Sequence, residues 1–419
     1  MYSHAFELGG AEKVMSFHAK LFRELGHDVD VFFISKKGIE KYEKVYNIKV
    51  LDAVPLFPVS IPFLEISVGI LTSRVLLSPL LKKYDVIVAH GYGVAWYIAG
   101  MFKNRYPQKH FIAYIHSIPR IFFLDDYLLK RWATDPMRKF LVKLRPILAN
   151  VFKCMDTLAL GKADVLITNS KNTARKLLKY YGLNALVIPP PIDEHKYRKL
   201  CNNDILQIYN KYTNFAGFGK ILKKIISLKK QDIPIFFTSG RIAPHKGLDL
   251  LIHAIKVLSE YNNDFSLIIV GKTQKYSYDY LRTIFKSVIQ NRLSDKIMYI
   301  KFVPEDILIL LYNLADVYVY PVPQEDLGMG VIEAIFCGTP AIAWGDESGP
   351  SEIIINGVTG YLAKPYNPHD FAAKLLKAVD LKEKICKYHR DILEKHYVQF
   401  THDYQRKVWR KILESYCTF

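Results

Sequence analysis

The sequence has few cysteines, a shortage of acidic residues and no long uninterrupted apolar run. Its five cysteines are far apart and form no C-x-x-C pair, so neither a disulfide framework nor a cysteine zinc site is indicated, and a reducing compartment is expected. Lys and Arg number 58 against 40 Asp and Glu, a net charge of +18. This charge favours contact with nucleic acid, anionic lipid or phosphorylated substrates, or is a solvated basic surface.

A membrane span is not predicted. The most apolar run, Val54–Leu81, is interrupted by Glu65, Arg74 and four prolines, whereas a span needs about 20 mainly apolar residues. A buried helix with apolar flanking loops is expected there instead. The first residues are polar and lead directly into a glycine pair, so no signal peptide is indicated and a cytoplasmic location is expected.

Several ligand motifs are also missing. The run Gly9-Gly10-Ala11 lacks the G-x-G-x-x-G spacing of a dinucleotide fingerprint. Asp28-Val-Asp30 has the form of a metal-binding D-x-D, but it opens a strand directly after a helix end, so we assign no metal to it. No nucleic-acid-binding motif is present, and the basic residues are spread over both halves of the chain.

What the sequence does contain is an alternation of short apolar strands with amphipathic helices, which is typical of a doubly wound parallel α/β sheet. The alternation runs through residues 1–195, weakens over the lysine-rich residues 196–230 and restarts over 231–399. We therefore predict two α/β domains joined by 196–230, and a final helix over 400–415. The predicted strands are Val29–Ile34, Ile48–Leu51, Asp85–Ala89, Phe111–Ile115, Asp164–Thr168, Leu186–Ile188, Ile235–Ser239, Phe265–Val270, Ile297–Phe302, Val317–Tyr320, Ala341–Trp344 and Gly360–Ala363.

The stretch from Tyr318 to Leu362 predicts an anion site at a helix N-terminus. Gly328 and Gly330 allow the backbone to approach a ligand closely, and the unpaired N–H groups of a first helical turn carry roughly half a positive charge. Glu325 and Glu333 would repel phosphate, but they suit hydroxyl groups, which donate hydrogen bonds to carboxylates. The ligand predicted for this loop has both phosphate and sugar parts.

A second loop, SGRIAPHKG, supplies the cations for such a ligand. Arg241 and Lys246 combine a rigid guanidinium fork with a mobile ammonium, the two cation types best suited to a diphosphate. Alone, they read as two solvated surface cations. Because this loop and the 324–333 loop both follow predicted strands, and ligands bind at the carboxyl ends of such strands, the diphosphate interpretation is favoured.

Taken together, these residues resemble the retaining glycosyltransferases of family 4, which have GT-B architecture. The resemblance spans nearly the whole chain and implies two Rossmann-like domains facing a cleft, with a C-terminal helix, 400–419, crossing back to the N-terminal domain. It is carried by Arg241 and Lys246, by Glu325-x7-Glu333, by GGAE at 9–12 and by GVTGYL at 357–362. A narrower resemblance, to mannosyltransferases that extend lipid-linked glycans, is carried by YIHSIPR at 114–120, NSKNTARKLLKYYG at 169–182 and PPPID at 189–193.

The resemblance implies an acceptor-binding domain over 1–195 and a donor-binding domain over 231–399. Arg241 and Lys246 would neutralise the donor diphosphate, Glu333 would bind the ribose and Glu325 the transferred sugar. Further contacts would come from His116 to that sugar, from Gly10 near the diphosphate and from the backbone N–H groups of Gly328, Met329 and Gly330. Asn169 and Ser170 are interpreted as helix caps without a further role.

By the same resemblance, the reaction is a metal-independent, cofactor-free hexosyl transfer with retention of configuration. GDP-mannose is the favoured donor by the narrower resemblance, and UDP-sugars remain open; the acceptor is a glycan or a polyprenyl-linked glycan. The segment Leu128–Lys153 carries seven Lys and Arg against one Asp. It suits an anionic membrane surface, and its alternative is a solvated helix face.

Other interpretations stay open from the sequence alone. One is a different GT-B enzyme, a phosphorylase or an epimerase, although no lysine motif for pyridoxal phosphate is seen. Another is a basic nucleic-acid-binding protein, and a third is a degenerate family member kept for interaction. Family members begin with a strand before the GG loop, and here only Tyr2–Phe6 is available for it.

Overall fold

The computed structural model describes residues 10–32, 43, 50–51, 81–91, 93–122, 124–213, 216–273 and 275–416. Tyr2–Phe6, Gly9 and all but the last residue of Val54–Leu81 lie outside these residues. The described chain forms two compact units, one drawn from segments 1–123, 143–191 and 399–419, the other from 124–142 and 192–398.

Parallel strands and helices alternate through both units. The strands are β1 Val31–Phe32, β2 Val50–Leu51, β3 Val86–Gly91, β4 His110–Ile115, β5 Val165–Thr168, β6 Leu186–Val187, β7 Ile235–Ser239, β8 Ser266–Val270, β9 Ile297–Ile300, β10 Val317–Tyr320, β11 Ala341–Trp344 and β12 Gly360–Ala363. The helices are α1 Gly10–Glu24, α2 Val94–Arg105, α3 Asp126–Trp132, α4 Pro136–Lys143, α5 Arg145–Leu160, α6 Lys171–Tyr181, α7 Asn202–Thr213, α8 Ala216–Lys230, α9 Leu248–Tyr261, α10 Tyr278–Gln290, α11 Glu305–Leu314, α12 Met329–Phe336, α13 Gly349–Ile353, α14 Pro368–Val379, α15 Leu381–Lys387, α16 His389–His396 and α17 His402–Glu414.

The first unit is built on a parallel sheet in the order β3-β4-β5-β6, beside a parallel pair of β1 and β2. Its strands are apolar on both faces because helices cover both faces. Along β4, Phe111 and Ala113 face α2 and α5, whereas Ile112 and Tyr114 face α1 and α17. The period of two in β4 thus divides its side chains between two cores.

Helix α17 returns to the first unit, as predicted. Trp409 and Leu413 are buried in one cluster with Val14 and Leu21 of α1 and Tyr114 of β4. The expected helix boundary of 400–415 agrees with the observed His402–Glu414 to within two residues. The C-terminal end of the chain therefore completes the core of the first unit.

The second unit is built on a parallel sheet in the order β12-β11-β10-β7-β8-β9. Strand order reverses between β7 and β10, so these two strands form the topological switch point at which open α/β sheets bind ligands. The doubly wound α/β class is confirmed in both units. Strands β7, β10, β11 and β12 have the predicted bounds.

Residues 196–230, predicted as a connection, carry α7 and α8 and belong to the second unit. In α8, Leu222 and Ile225 are buried while Lys220, Lys223 and Lys224 are exposed. The lysines that weakened the strand pattern therefore lie on the outer face of an amphipathic helix. In the described part of the chain, no helix combines the length and apolarity needed to cross a membrane.

Candidate functional site

Two loops follow the strands of the switch point in the second unit. The loop after β7 runs through Gly240 and Arg241 to a 3-10 turn, Pro244–Lys246. The loop after β10 leads to Gly328 at the N-terminus of α12. β7 and β10 are neighbours in the sheet and pair through Phe237 and Tyr318. Both loops therefore lie at the same carboxyl edge, and the predicted cations and carboxylates come close together.

Arg241 and Lys246 line a single pocket of about 70 Å³. Its other walls include Gly240 at the end of β7, Val270 at the end of β8 and Tyr320 at the end of β10. Arg241 is exposed, whereas Lys246 is partly buried. This pocket has room for a small part of a ligand and presents two cations to it.

Lys246 and Glu325 form an ion pair across the two loops. The Nζ of Lys246 lies 2.5 Å from Oε2 of Glu325, and the hydroxyl of Tyr320 donates to the same oxygen at 3.1 Å. Both charged side chains are largely buried, with 20% and 14% exposed. A buried pair of this kind holds a cation and a hydroxyl acceptor at fixed positions beside each other.

Gly328 is the N-cap of α12, with a left-handed φ of 98° and no side-chain cap. The Val331 N–H bonds the Gly328 carbonyl, and the N–H groups of Met329 and Gly330 are the ones that an anion would meet at this helix N-terminus. Gly330 has a structural reason to be glycine. A Cβ at Gly330 would collide with the hydroxyl of Tyr318, so this glycine serves strand-helix packing.

Glu333 lies one turn into α12, and its Oε2 accepts a hydrogen bond from the Tyr312 hydroxyl at 2.9 Å. The Tyr312 hydroxyl is in turn 3.1 Å from the Ser239 Oγ at the end of β7. Sequence reasoning missed Tyr312 and Ser239, because a tyrosine inside an apolar helix carries no signal of a polar partner. Together they fix the carboxylate that was predicted to bind ribose hydroxyls.

Asp346 supports the loop after β10 through hydrogen bonds, and sequence reasoning also missed this residue. Its carboxylate accepts from the Gln324 backbone N–H at 2.8 Å, from the Tyr366 hydroxyl at 3.0 Å and from the Ser348 hydroxyl at 2.5 Å. Gln324 has a φ of 49°, which costs a non-glycine residue energy. Asp346 therefore holds in place a strained residue next to Glu325.

His116 lies in the first unit, directly after β4. Its carbonyl accepts from the Asn169 side-chain amide at 2.8 Å, while the hydroxyl of Ser170 accepts from the Thr173 backbone N–H and caps α6. Ser170 is therefore a helix cap, as interpreted from the sequence. The Asn169 side chain instead bonds the backbone of the loop that carries His116. Gly10, the other predicted site residue of this unit, is the exposed first residue of α1.

A row of three histidines connects His116 to the core of the first unit. The His116 Nε2 lies 3.2 Å from the His90 Nδ1, and the His90 Nε2 lies 3.4 Å from the His18 Nδ1. His18 and His90 are almost completely buried. Burial lowers the pKa of all three imidazoles, that of His116 to about 3, so all three are neutral at pH 7.

Neutral imidazoles each have one donor and one acceptor, so the direction of one hydrogen bond sets the other. Among the described residues, the buried His18 Nε2 has no hydrogen-bond partner. Because a buried N–H without a partner is costly, we assign this nitrogen as the unprotonated one. His18 then donates to His90 and His90 to His116. In this assignment the Nδ1 of His116 carries the proton.

The D-x-D run, Asp28–Asp30, directly precedes β1. Asp30 accepts hydrogen bonds from Lys83 and from the Tyr84 hydroxyl. Across the described ranges, no three His, Cys, Asp or Glu side chains come together as metal ligands would.

Two family models match the chain and together span most of it. Glycosyltransferase Family 4 matches residues 8–196, and Glycosyl transferases group 1 matches residues 220–394. The first match covers most of the first unit, and the second covers the sheet that carries Arg241, Lys246, Glu325 and Glu333.

Among curated relatives, a D-inositol 3-phosphate glycosyltransferase of Acidothermus cellulolyticus is 22% identical over 89% of this chain and 79% of its own length. The protein of that name from Geodermatophilus obscurus is 25% identical over 53% of this chain, and the match spans 47% of that relative. The chain thus spans about half the length of some curated relatives it matches.

Solved structures share the fold at lower identity. The Anabaena protein Alr3699/HepE, crystallised with UDP, superposes with a TM-score of 0.72 at 17% identity, covering 99% of this chain and 98% of HepE. A sucrose-phosphate synthase from Thermosynechococcus elongatus superposes with a TM-score of 0.70, also at 17% identity, covering 97% of this chain and 94% of its own. By sequence, the chain thus matches the family 4 and group 1 glycosyltransferase models over most of its length, and by fold it has the GT-B architecture.

Proposed function

We propose that this protein transfers a hexose from a nucleoside diphosphate sugar to a glycan acceptor, with retention of configuration and without a metal. The observation that carries the proposal is the meeting of Arg241, Lys246 and Glu325 with the uncapped N-terminus of α12 at the switch point of the second sheet. Two cations and a helix N-terminus suit the diphosphate. Glu325 suits the hydroxyls of the transferred sugar and Glu333 those of the ribose.

The chemistry follows from where charge develops. The bond between the anomeric carbon and the diphosphate oxygen breaks, so negative charge grows on the leaving group beside Arg241 and Lys246. The acceptor oxygen bonds to the anomeric carbon on the same face, and its proton passes to the leaving diphosphate. His116 would donate from Nδ1 to a hydroxyl of the sugar. Proton NMR of the anomeric centre in the product tests retention.

Calorimetric titration with a panel of nucleotide sugars tests the donor site. The panel includes GDP-mannose, favoured by the narrower sequence resemblance, and UDP-glucose, which HepE binds in a crystal structure. In the Glu333→Gln variant the amide loses a charged acceptor for the ribose, so the donor Kd is expected to rise about 10- to 100-fold.

Glu383→Gln, on an exposed residue of α15, is the matched control and is expected to bind the donor as the wild type does. The proposal fails if no nucleotide sugar binds, or if Glu333→Gln binds the same donor unchanged. Retention on DNA that weakens with salt, without any donor binding, would instead favour the basic nucleic-acid-binding alternative.

The acceptor, in our proposal, is lipid-linked and reached at an anionic membrane surface. Leu128 and Leu129, within the segment first considered for this surface, are buried. Support comes instead from α5, where Ile147, Val151 and Leu158 are 69%, 50% and 65% exposed. They are spaced four and seven residues apart, hence on one face of the helix.

Exposed Lys143, Lys153 and Lys162 accompany this apolar stripe, and the acid of α5, Asp156, is buried between the hydroxyls of Tyr97 and Tyr181. An apolar stripe with lysines is suited to the interface of anionic lipid. Sedimentation with vesicles containing phosphatidylserine should carry the protein down, and Ile147→Ser with Leu158→Ser should abolish this. Equal sedimentation with neutral vesicles, or none, contradicts the membrane proposal.

A further inference from the structure

A short helical segment, 124–142, lies in the chain between two segments of the first unit but packs in the second unit. Its helix α3 contacts the Pro244–Lys246 turn, which carries one of the two cations of the donor site. Nothing in the sequence of α3 indicates such a contact, because its pattern is that of an ordinary basic helix.

Arg131 makes this contact. Its guanidinium donates to both carboxylate oxygens of Asp249, at 2.5 and 2.7 Å, and to the carbonyl of Pro244 at 2.7 Å. Asp249 lies in the first turn of α9, so the guanidinium bonds the chain on both sides of Lys246. Only a planar fork with several N–H donors can make these bonds at once.

The pair is built into a wider network. The Tyr280 hydroxyl donates to Asp249 Oδ1 at 2.6 Å and accepts from the Asp249 backbone N–H at 2.9 Å. The Arg131 side chain is only 12% exposed. Although burial favours the neutral acid, the bonds from Arg131 hold the pKa of the Asp249 carboxyl below its usual value. Asp249 is therefore ionised at neutral pH, and the ion pair is intact under assay conditions.

We propose that Arg131 is a positioning residue of the donor site, which fixes the Pro244–Lys246 turn so that the ammonium of Lys246 is held at the diphosphate. The inference rests on the proposed function, since it assigns the ligand of Lys246. Arg131 acts through Lys246 and touches no reacting atom. Its loss lets the turn shift, and displacements of about 1 Å at a binding group are enough to weaken a site strongly.

The test measures binding of UDP and of GDP by calorimetry, with Arg131→Lys as the main variant. Lysine keeps the positive charge opposite Asp249 but cannot also donate to the Pro244 carbonyl. The variant is therefore expected to bind the wild type's nucleotide with a Kd about tenfold higher. Arg198→Lys is the matched control, because Arg198 also makes a two-bond pair with an aspartate of its own unit, Asp204. It is expected to leave the Kd unchanged.

A double-mutant cycle separates positioning from general stabilisation. If Arg131 acts through Lys246, the Arg131→Lys change has no further effect on the Kd in a Lys246→Ala background. Equal effects in both backgrounds overturn the proposal, as does wild-type affinity in Arg131→Lys. Should Arg131→Lys fold poorly, Asp249→Asn enters the same cycle. If the wild type binds neither nucleotide, the proposed function fails first, and the role of Arg131 fails with it.

Discussion

Glu325 and Glu333, two predicted site residues of the second unit, are each held by a tyrosine that no motif announces. Lys246 pairs with Glu325, which also accepts from Tyr320, and Glu333 accepts from Tyr312. The sequence predicts Lys246, Glu325 and Glu333 as site residues because charge and hydroxyl chemistry restrict which side chains suit a diphosphate sugar. Their partners could not be predicted, because Tyr312 and Tyr320 are brought close only by packing of α11 and β10 against α12.

In the first unit, the direction of the histidine row predicts one ring form for His116. We expect the imidazole at pH 7 to be neutral and protonated on Nδ1, since the unpartnered His18 Nε2 sets the direction of both hydrogen bonds. Two-bond ¹H–¹⁵N correlation of the histidine rings measures this directly. In His90→Leu the row is broken, and a mixture of both forms is expected.

The His116 signal is the one that His116→Asn removes from the spectrum. His253→Asn is the control that leaves the row intact, because His253 is exposed on α9 of the other unit. A wild-type His116 protonated on Nε2, or an unchanged spectrum in His90→Leu, contradicts the assigned direction.

The same histidines predict how stability depends on pH. Their folded-state pKa values lie below the ordinary 6.5, so the unfolded chain binds more protons below pH 6.5. Their contribution to stability is therefore complete above pH 6.5 and is lost as the pH falls toward 3. In His18→Phe, the thermal midpoint is expected to fall less between pH 7 and pH 5 than in the wild type. A parallel decline in both proteins would contradict this.

Among the structural elements, the strands of the second unit were the most predictable. β10 and β11 are continuous apolar runs, VYVY and AIAW, that are buried at every residue, which is the pattern of a strand covered on both faces. Elements defined by long-range contacts were less predictable. The segment 124–142 has the pattern of an ordinary basic helix, and its contacts with the Pro244–Lys246 turn, the bonds of Arg131 among them, place it in the second unit.

The loop between β10 and α12 is bonded to the buried carboxylate of Asp346, which gives an element-scale prediction. Asp346→Asn turns one acceptor oxygen into an NH₂ group that faces the Gln324 N–H or the Ser348 hydroxyl. We expect a loss of about 1–3 kcal/mol in stability and a donor Kd raised about tenfold as Glu325 loses its support. Urea unfolding and donor titration measure the two effects.

Tyr366→Phe is the comparison for that variant. It removes one donor to Asp346 but leaves the carboxylate to hold Gln324, so donor affinity should stay near the wild-type value. If Asp346→Asn binds donor as tightly as Tyr366→Phe does, the loop does not depend on Asp346.

At the scale of the whole molecule, each unit has its own sheet and its own buried clusters. The chain nevertheless closes the first unit with its last helix, so the two units are not simply sequential. The family resemblance implied this return, whereas periodicity alone predicts the helix and leaves its packing partner open. Trp409 marks the partner, since it is fully buried against His18 and Phe22 of α1.

Removing the Trp409 side chain should therefore destabilise one unit and spare the other. Trp409→Ala leaves a cavity in the first unit, and such truncations cost about 3–5 kcal/mol. Because the second unit has a separate core, differential scanning calorimetry is expected to show one transition moved to lower temperature and one unchanged. Below the first transition, donor titration should still report nucleotide binding by the second unit. Lys407→Ala, at an exposed position of α17, is the control for an alanine substitution in this helix. If the entire unfolding profile of Trp409→Ala shifts together, the two cores unfold as one.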